Sequence, residues 1–489
     1  MNLEQQKKQA RELLRAIRAG QVEALGRLRE RHRRWADVND AIVQQEVALH
    51  DAHFVVAREQ GFASWTKLKA YVEERTGARH TRLFVADVGW IEERVRGLMR
   101  TRLSAGPAAL EQIREWHPRF SGWSDEEIRQ APFSEADARL VYAREHGFDG
   151  WDELAARVNA LAADPKAAEG EPFLAAFRAL ESGNVAALRA LLRSDARLAR
   201  ERGTNGNTLL NLAVSLAAKG GESRRACMDA VLAAGADVNE ANDRGSTALH
   251  QAAYSNQSAI AEALIERGAE LDGEAHGSGG TPLIMALFWG HREVAEVLRR
   301  HSTAPGNLRA AAGLGDRELV ERCFRGGELT PEACAARGFY RPHSGFPDWQ
   351  PSADPQEVLD EALVWAAKSG RTEVMGRLVR AGARLDADPY RGTALIWAAV
   401  GNWMETAEWL IEHGASVNRK ATFGGPTHGQ GVTALHMAAA NGHLQMVQML
   451  VRRGADREMT DDLHGGNAVG WASHSGQVEV RDYLLSLGS

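Results

Sequence analysis

The stretch from Gly431 to Asp462 constrains the fold of this chain more than any other. Two short apolar patterns with helical spacing follow each other in it, and Thr433 is placed to cap the first. Gly442 and Gly454 close the two patterns, where a left-handed residue is needed and glycine carries no Cβ penalty. The apolar positions are Leu435, Ala438, Ala439, Val447, Leu450 and Val451. A helix pair of this size cannot bury its apolar face alone, so the stretch predicts neighbours of the same kind on both sides.

The same pattern recurs through the second part of the chain, from Pro172 onwards. We divide residues 172–489 into about nine repeats, with an insertion at 331–355 and a C-terminal cap at 464–489. Asn256 and Asn402 stand where glycine ends the first helix of other repeats, and asparagine is the next-best residue for a left-handed position. The repeats open at Thr208, Thr247, Thr281, Thr393 and Thr433, with less regular members between them.

The motif T-A-L-H-x-A-A, intact at Thr247 and Thr433, resembles the ankyrin-repeat family. T-P-L-I-M-A-L at Thr281 and T-A-L-I-W-A-A at Thr393 depart from it by one or two residues. The resemblance implies an all-α fold, a solenoid of paired helices. It also implies a binding function, because ankyrin arrays usually hold other proteins on their concave face and finger loops.

Residues 1–161 form a separate predicted helical domain, joined to the array by a linker at 162–171 that contains Pro165 and Gly170. The domain is internally duplicated, about 1–76 and 86–161, because the segment 51–68 recurs at 137–154 with the same G-F-x-x-W core. We predict degenerate helix pairs in which Val55, Phe62, Trp65 and Leu68 form a buried corner. A paired recognition module is the alternative. The duplication resembles the N-terminal part of some bacterial ankyrin-repeat proteins.

Charge and cysteine usage point to a protein of the cytoplasm. The formal charge of −6 gives no general attraction to nucleic acid, and no apolar run is long enough for a membrane span. The basic run from Arg27 to Trp35 could contact phosphate, but we favour a solvated helix end. The polar N-terminus does not read as a secretory signal. The three cysteines lack metal-ligand spacing, and we expect reduced thiols.

The first helices of the repeats carry a stripe of tryptophan and methionine, including Trp365, Trp397 and Met437. The register of the repeats places this stripe in the core rather than around a cofactor. The outward positions should be the two residues before the helix-ending glycine or asparagine. Most of these are small or polar, as at Lys368 and Ser369. Large apolar residues occupy them at Tyr254, Phe288, Trp289 and Leu314, which we predict to form one exposed contact patch.

The Pro-rich insertion from Gly338 to Pro355 follows this patch in the sequence. Its predicted contact residues are Phe339, Tyr340, Arg341, His343, Phe346 and Trp349. One interpretation is a lid that completes a small-molecule pocket, with Arg341 and His343 as polar contacts. The other is a structural plug over apolar surface. The segment 419–431, with Phe423 and His428, is a weaker candidate loop.

Known catalytic motifs are absent from the sequence: there is no G-x-S-x-G, P-loop, H-E-x-x-H or C-x-x-C. His50 and His53 are three residues apart but lack an identifiable third metal ligand, and His250 and His436 belong to the repeat signature. No catalytic residue, metal or cofactor is therefore predicted. Acid–base chemistry by His343 with Asp348 stays open, as an alternative in which the chain is a cofactor-independent enzyme.

Three functions follow from these features. The leading one is a non-catalytic scaffold that binds a protein partner through the patch and the insertion. The second is a small-molecule binder or enzyme with its pocket under residues 338–355. The third, binding of nucleic acid by the basic run, is disfavoured by the net charge.

Overall fold

Helices dominate the computed structural model of this chain. It describes residues 3–60, 65, 68, 81–103, 107–164, 171–275, 279–302, 306–335, 353–389, 391–422 and 430–488. One two-stranded hairpin is the only sheet within those ranges, so the predicted all-α class is confirmed. The chain divides into two compact units, Met1–Pro282 with Arg300–Thr303, and Leu283–Arg299 with Ala304–Ser489. The domain limits derived from the sequence stay predictions.

The N-terminal part of the first unit contains two series of helices in the same order. The first is Leu3–Arg18, Val22–Arg31, Asp40–Glu46 and Leu49–Glu59; the second is Val88–Leu103, Pro107–Trp116, Asp125–Gln130, Glu135–Glu145 and Trp151–Ala163. A 3-10 turn follows the second helix of each series, at Arg33–Trp35 and at Pro118–Phe120. Equivalent ion pairs join Arg29 to Asp40 and Arg114 to Asp125. The two series thus share their helix order and an ion pair at matching positions, while the duplicated G-F-x-x-W module stays a prediction.

Each copy has its own apolar core. In the first copy Val55, Trp65 and Leu68 are buried, which confirms their predicted place, while Gly61 and Phe62 lie outside the described residues. In the second copy Gly147, at φ 83°, separates two helices as predicted. The basic run of the first copy is engaged by carboxylates, with Arg27 on Glu59 at 2.7 Å.

Helix pairs occupy the rest of both units. In the first unit they are Pro172–Ser182, Val185–Ser194, Leu209–Ala217, Glu222–Ala233, Ala248–Tyr254 and Ser258–Glu266. Then follow Pro282–Trp289, Arg292–His301, Leu308–Leu314, Arg317–Arg322, Pro355–Lys368, Thr372–Arg380, Ala394–Val400, Met404–Glu412, Ala434–Ala440, Leu444–Arg452, Ala468–His474 and Val478–Ser486. In the second unit the first helices from Leu308–Leu314 onwards pack side by side in chain order.

Backbone conformation at the helix ends confirms the register of the repeats. Gly442 and Gly454 have φ of 73° and 90°, and Asn256 and Asn402 have φ of 52° and 55°. His436 acts as a structural residue, because its Nδ1 accepts from the Thr433 backbone N–H at 3.1 Å and its Nε2 lies 3.1 Å from the Gly466 carbonyl oxygen. Each such histidine thus joins its own helix start to the next loop.

The tryptophan and methionine stripe is core, as predicted from the register. Trp365 and Trp397 are 1% and 5% exposed, and Met437 is buried with them in the second unit. All three cysteines are free and buried. The hairpin pairs Phe324–Arg325 with Glu328–Leu329 just before the predicted insertion.

Candidate interaction surface

The predicted contact residues fall into three groups. Tyr254 lies in the first unit, at the end of its helix, and is 50% exposed as expected. Phe288, Trp289 and Leu314 lie in the second unit. Phe339, Tyr340, Arg341, His343, Phe346 and Trp349 lie outside the described residues, as do Asp348, Phe423 and His428. The interpretations of the insertion as a lid or a plug both stay predictions.

Phe288 and Leu314 do not point outward as the sequence analysis expected. They are only 1% and 8% exposed, so this part of the prediction is wrong. The Phe288 ring packs edge-on against Trp365, with ring centroids 6.0 Å apart. The outward rule failed at Phe288 because it counts positions within one repeat, whereas Trp365 and Lys368 from a later repeat cover this ring.

Trp289 is the large side chain of the predicted patch that stays half-buried in the second unit. Its ring packs edge-on against Phe288 at 5.3 Å between centroids. The guanidinium carbon of Arg391 lies 5.1 Å from the Trp289 ring centroid, within reach of a cation–π interaction. Arg391 has φ of 61°, a left-handed conformation that costs a non-glycine residue energy and that clusters at functional sites.

Lys368 is buried next to Phe288 and is 3% exposed. Its Nζ donates to the Phe288 carbonyl oxygen at 3.0 Å, and lies 3.8 Å from the Trp397 ring centroid and 4.8 Å from that of Phe288. Its own carbonyl oxygen accepts from Trp403 Nε1 at 2.8 Å. An ammonium group is tolerated in such a place because aromatic faces and a carbonyl oxygen replace water.

Sequence reasoning missed Lys368 and Arg391. Lys368 was read as one of the polar outward positions, and Arg391 was not singled out. The available signal for Lys368 was its place at a helix end within a stripe of tryptophans. Arg391 gave no comparable signal, because a left-handed arginine is rare and nothing in its type marks it.

An acidic cleft of about 800 Å³ lies elsewhere in the second unit. Its lining residues are Asp354, Glu357, Asp360, Arg384, Asp386, Ala387, Asp388, Pro389 and Arg419. The inner carboxylates already hold the loops together: Asp360 accepts from the Arg384 side chain at 2.5 Å and 2.9 Å, and Asp388 from Thr422 at 2.7 Å. The cleft is therefore explained by loop structure.

His32 and His53 of the first copy contact carboxylates and an aromatic ring of the first unit. His53 stacks on Trp65 at 4.1 Å between ring centroids, and His32 lies 3.3 Å from Asp51 and 3.9 Å from Asp272. Desolvation lowers the pKa of His53 to about 4. Among the residues that the structure describes, no group of three histidine, cysteine or acidic side chains is arranged to hold a metal ion.

Comparison with known families bears on the repeats directly. A model described as "Ankyrin repeats (3 copies)" matches residues 214–310 and 308–421, and one described as "Ankyrin repeats (many copies)" matches residues 395–451. The chain contains ankyrin repeats. The matched residues begin at 214, so the resemblance of the duplicated N-terminal module to any family stays a prediction.

Several known proteins are similar to parts of this chain. The chain is 28% identical over 261 residues to "Ankyrin repeat and KH domain-containing protein mask-1" of Caenorhabditis elegans, covering 53% of this chain and 9% of that protein. It is 42% identical over 62 residues to "Ankyrin repeat and SAM domain-containing protein 6" of Mus musculus, covering 13% and 7%. It is 33% identical over 145 residues to "Putative palmitoyltransferase ZDHHC13" of Danio rerio, covering 29% and 21%.

The chain thus spans no more than about a fifth of the length of these three relatives. No helix in the described ranges has the length and apolar character required to cross a bilayer.

Gly290 offers a test of how tightly the ankyrin repeats pack around Lys368. It has φ of 75°, and a Cβ there would lie 2.7 Å from the Lys368 carbonyl oxygen. We expect Gly290→Ala to destabilise the protein by about 1–3 kcal/mol in urea denaturation, because it adds a close contact to left-handed strain. Gly454→Ala is the control, since its φ is 90° and its Cβ would meet nothing within 4 Å. Equal costs at the two positions would contradict the close packing.

Proposed function

We propose that this chain is a non-catalytic scaffold that binds a protein partner through its ankyrin repeats. The observation that carries the proposal is the pairing of Trp289 with Arg391 in the second unit. Tryptophan and arginine are the residue types that most often dominate the energy of a protein interface. A half-buried tryptophan held from two sides loses little conformational entropy on binding, which suits an anchor.

The polar part of the surface supports the same function. Arg391 is held in a left-handed conformation against the Trp289 ring, so its guanidinium is ordered before a partner arrives, and the buried Lys368 binds the Phe288 carbonyl oxygen next to Trp289. An ordered guanidinium favours a partner that presents carboxylate oxygens next to an apolar side chain. The residues predicted in the insertion belong to this proposal, while Tyr254 in the first unit is proposed as a separate contact residue.

We expect Trp289→Ala to weaken binding of a captured partner by about 10- to 100-fold, the effect of removing an interface hot spot of 1.4–2.8 kcal/mol. Binding is measured by titration of the partner identified by affinity capture from the native host. Trp123→Ala is the matched control, because Trp123 also packs edge-on against a phenylalanine at 5.3 Å and is 37% exposed. A partner held equally by the two variants would show that Trp289 is not an anchor.

A small-molecule ligand is the second candidate, favoured by the buried amine of Lys368 among aromatic rings. Such a site would suit a flat, apolar ligand with an acceptor for the ammonium group. Screening a metabolite library by thermal shift separates the two candidates, because a ligand of this site should raise the melting temperature of the wild type and not of Lys368→Met. A cytoplasmic location remains part of the proposal, and it is supported by the three buried free thiols.

A further inference from the structure

The second N-terminal copy is docked on a loop that precedes the first matched ankyrin repeat, all within the first unit. We call residues 201–207 the first finger. Arg82 exchanges backbone hydrogen bonds with it, donating to the Arg202 carbonyl oxygen at 2.8 Å and accepting from the Thr204 N–H at 3.0 Å. A Cβ at Gly203 would lie 2.8 Å from the Phe84 ring, so the finger approaches as closely as a glycine allows.

The C-terminal end of the helix Glu135–Glu145 completes the contact. The Tyr142 hydroxyl donates to Asn205 Oδ1 at 3.1 Å, and His146 Nε2 lies 2.8 Å from the Thr204 hydroxyl. The Asn205 N–H donates to Glu145 Oε1 at 3.3 Å, and Asn205 has φ of 59°. The finger is thus held in a strained shape by the copy that covers it.

Glu145 is the exceptional group in this interface, at 1% exposure. Its Oε2 accepts from Gln112 Nε2 at 2.7 Å and its Oε1 from the Asn205 N–H, and the Thr81 hydroxyl, 3.3 Å from Oε1, can donate to the carboxylate or accept from the neutral acid. Arg202, a cation within electrostatic reach of Glu145, is paired with Asp243 at 2.6 Å. The titratable and charged groups around Glu145 are Glu115, Tyr142, His146, Arg202, Asp243 and Arg244.

The first copy provides an internal comparison. There the equivalent carboxylate, Glu59, is paired with Arg27 through two hydrogen bonds of 2.7 Å. In the second copy Gln112 occupies the position of Arg27, and Glu145 that of Glu59. Both copies therefore have a glutamate at this position, but only Glu59 has an arginine partner, and Glu145 is the one buried against the first finger.

We propose that the second copy is a proton-dependent latch on the first finger, in which Glu145 docks as a neutral carboxylic acid and its ionisation weakens the contact. The latch rests on the proposed function for its purpose, since undocking uncovers ankyrin finger surface for a partner. Burial raises the pKa of Glu145 and the neighbouring Asp243 raises it further, while the pKa of Asp243 is raised by its own burial.

The direction of the effect follows from linkage. An undocked, solvated glutamate ionises near its ordinary pKa of about 4.3. Between this ordinary pKa and the raised pKa of the docked state, docking takes up one proton. The docking constant therefore falls about tenfold per pH unit in that range. The latch is therefore tight in acid and loosens as pH rises through neutrality.

Hydrogen exchange on the full-length chain tests the latch. The protection factors of the Arg82, Thr204 and Asn205 amides, corrected for intrinsic exchange, report opening of the interface, since all three donate across it. We expect them to fall about tenfold per unit between pH 6 and pH 7 in the wild type. The amide of Ala421, which donates to Val432 in the second unit, is the internal reference and should not follow this slope.

Two variants make the result specific. Glu145→Gln should reduce the slope by about one unit, and Glu59→Gln, the equivalent exposed position, should leave it unchanged. Gln112→Arg places an arginine next to Glu145, as in the first copy, and should move the slope to lower pH while docking is retained. This second variant keeps the test valid if Glu145→Gln does not fold. Absence of a slope in the wild type, or a full slope in Glu145→Gln, overturns the latch. Failure of the proposed function is seen separately, as unchanged partner binding by Trp289→Ala.

Discussion

Arg309→Met is expected to destabilise the second unit by about 3–5 kcal/mol, measured by urea denaturation. Arg309 and Glu361 form an ion pair between two neighbouring first helices, with side chains 0% and 4% exposed. Arg309 also donates through Nη1 to the Ala335 carbonyl oxygen at 3.1 Å. Methionine fills similar space but removes the Arg309 guanidinium from the buried Glu361 carboxylate. Desolvation of that carboxylate, rather than the loss of attraction itself, dominates the cost.

Two controls separate this effect from a general loss of packing. The double variant Arg309→Met with Glu361→Leu should recover most of the stability, because both charges are removed together. Arg453→Met breaks an exposed pair with Glu412 at 3.0 Å, whose side chains are 38% and 56% exposed, and should cost less than about 1 kcal/mol. A double variant as unstable as the single one would mean that the cost comes from shape rather than charge.

The repeat register could be predicted from sequence because it depends on local chemistry. A left-handed helix end requires glycine or asparagine, so Asn256 and Asn402 were recognisable without knowledge of their neighbours. The same register identified Trp365 and Trp397 as core, since a residue one turn into the first helix faces the next repeat. Each of these inferences needs only positions within one repeat of about 33 residues.

The candidate surface could not be predicted in the same way, because it is built from distant repeats. Lys368 contacts the carbonyl oxygen of Phe288, 80 positions earlier, and the ring of Trp397. That lysine shields Phe288 from water, and no pattern inside the repeat of Phe288 predicts this contact. Trp289 and Arg391 also come together through the stacking of helices. The sequence predicts the order of these helices but not the distances between their side chains.

The docking of the second copy on the first finger could not be predicted from the sequence either. Glu145 lies at the C-terminal end of its helix, where nothing in the sequence marks it as buried, and its counterpart Glu59 is exposed. What distinguishes them is the partner on the preceding helix, Gln112 or Arg27, together with the loop that covers only Glu145. The difference between Gln112 and Arg27 becomes clear when the helices of the two copies are matched in chain order.

Trp65→Ala is expected to destabilise the first unit by about 3–5 kcal/mol, because it removes a large ring from a packed core and leaves a cavity. Trp65 is 4% exposed and belongs to the core of the first copy, where it also stacks on His53. Trp151 is its counterpart in the second copy, but it is half-buried and packs at the edge of the core. There Arg139 replaces the histidine, with its guanidinium carbon 5.3 Å from the ring centroid.

The same substitution at Trp151 should therefore cost about 1–2 kcal/mol less, since part of its surface is already in water and a smaller cavity remains. Urea denaturation of the two variants, followed by far-ultraviolet circular dichroism, measures the difference. Equal losses would contradict the distinction between a core tryptophan and an edge tryptophan. A loss below about 1 kcal/mol at Trp65 would instead favour the alternative of a recognition module, in which the tryptophan of the G-F-x-x-W motif contacts a partner rather than the core.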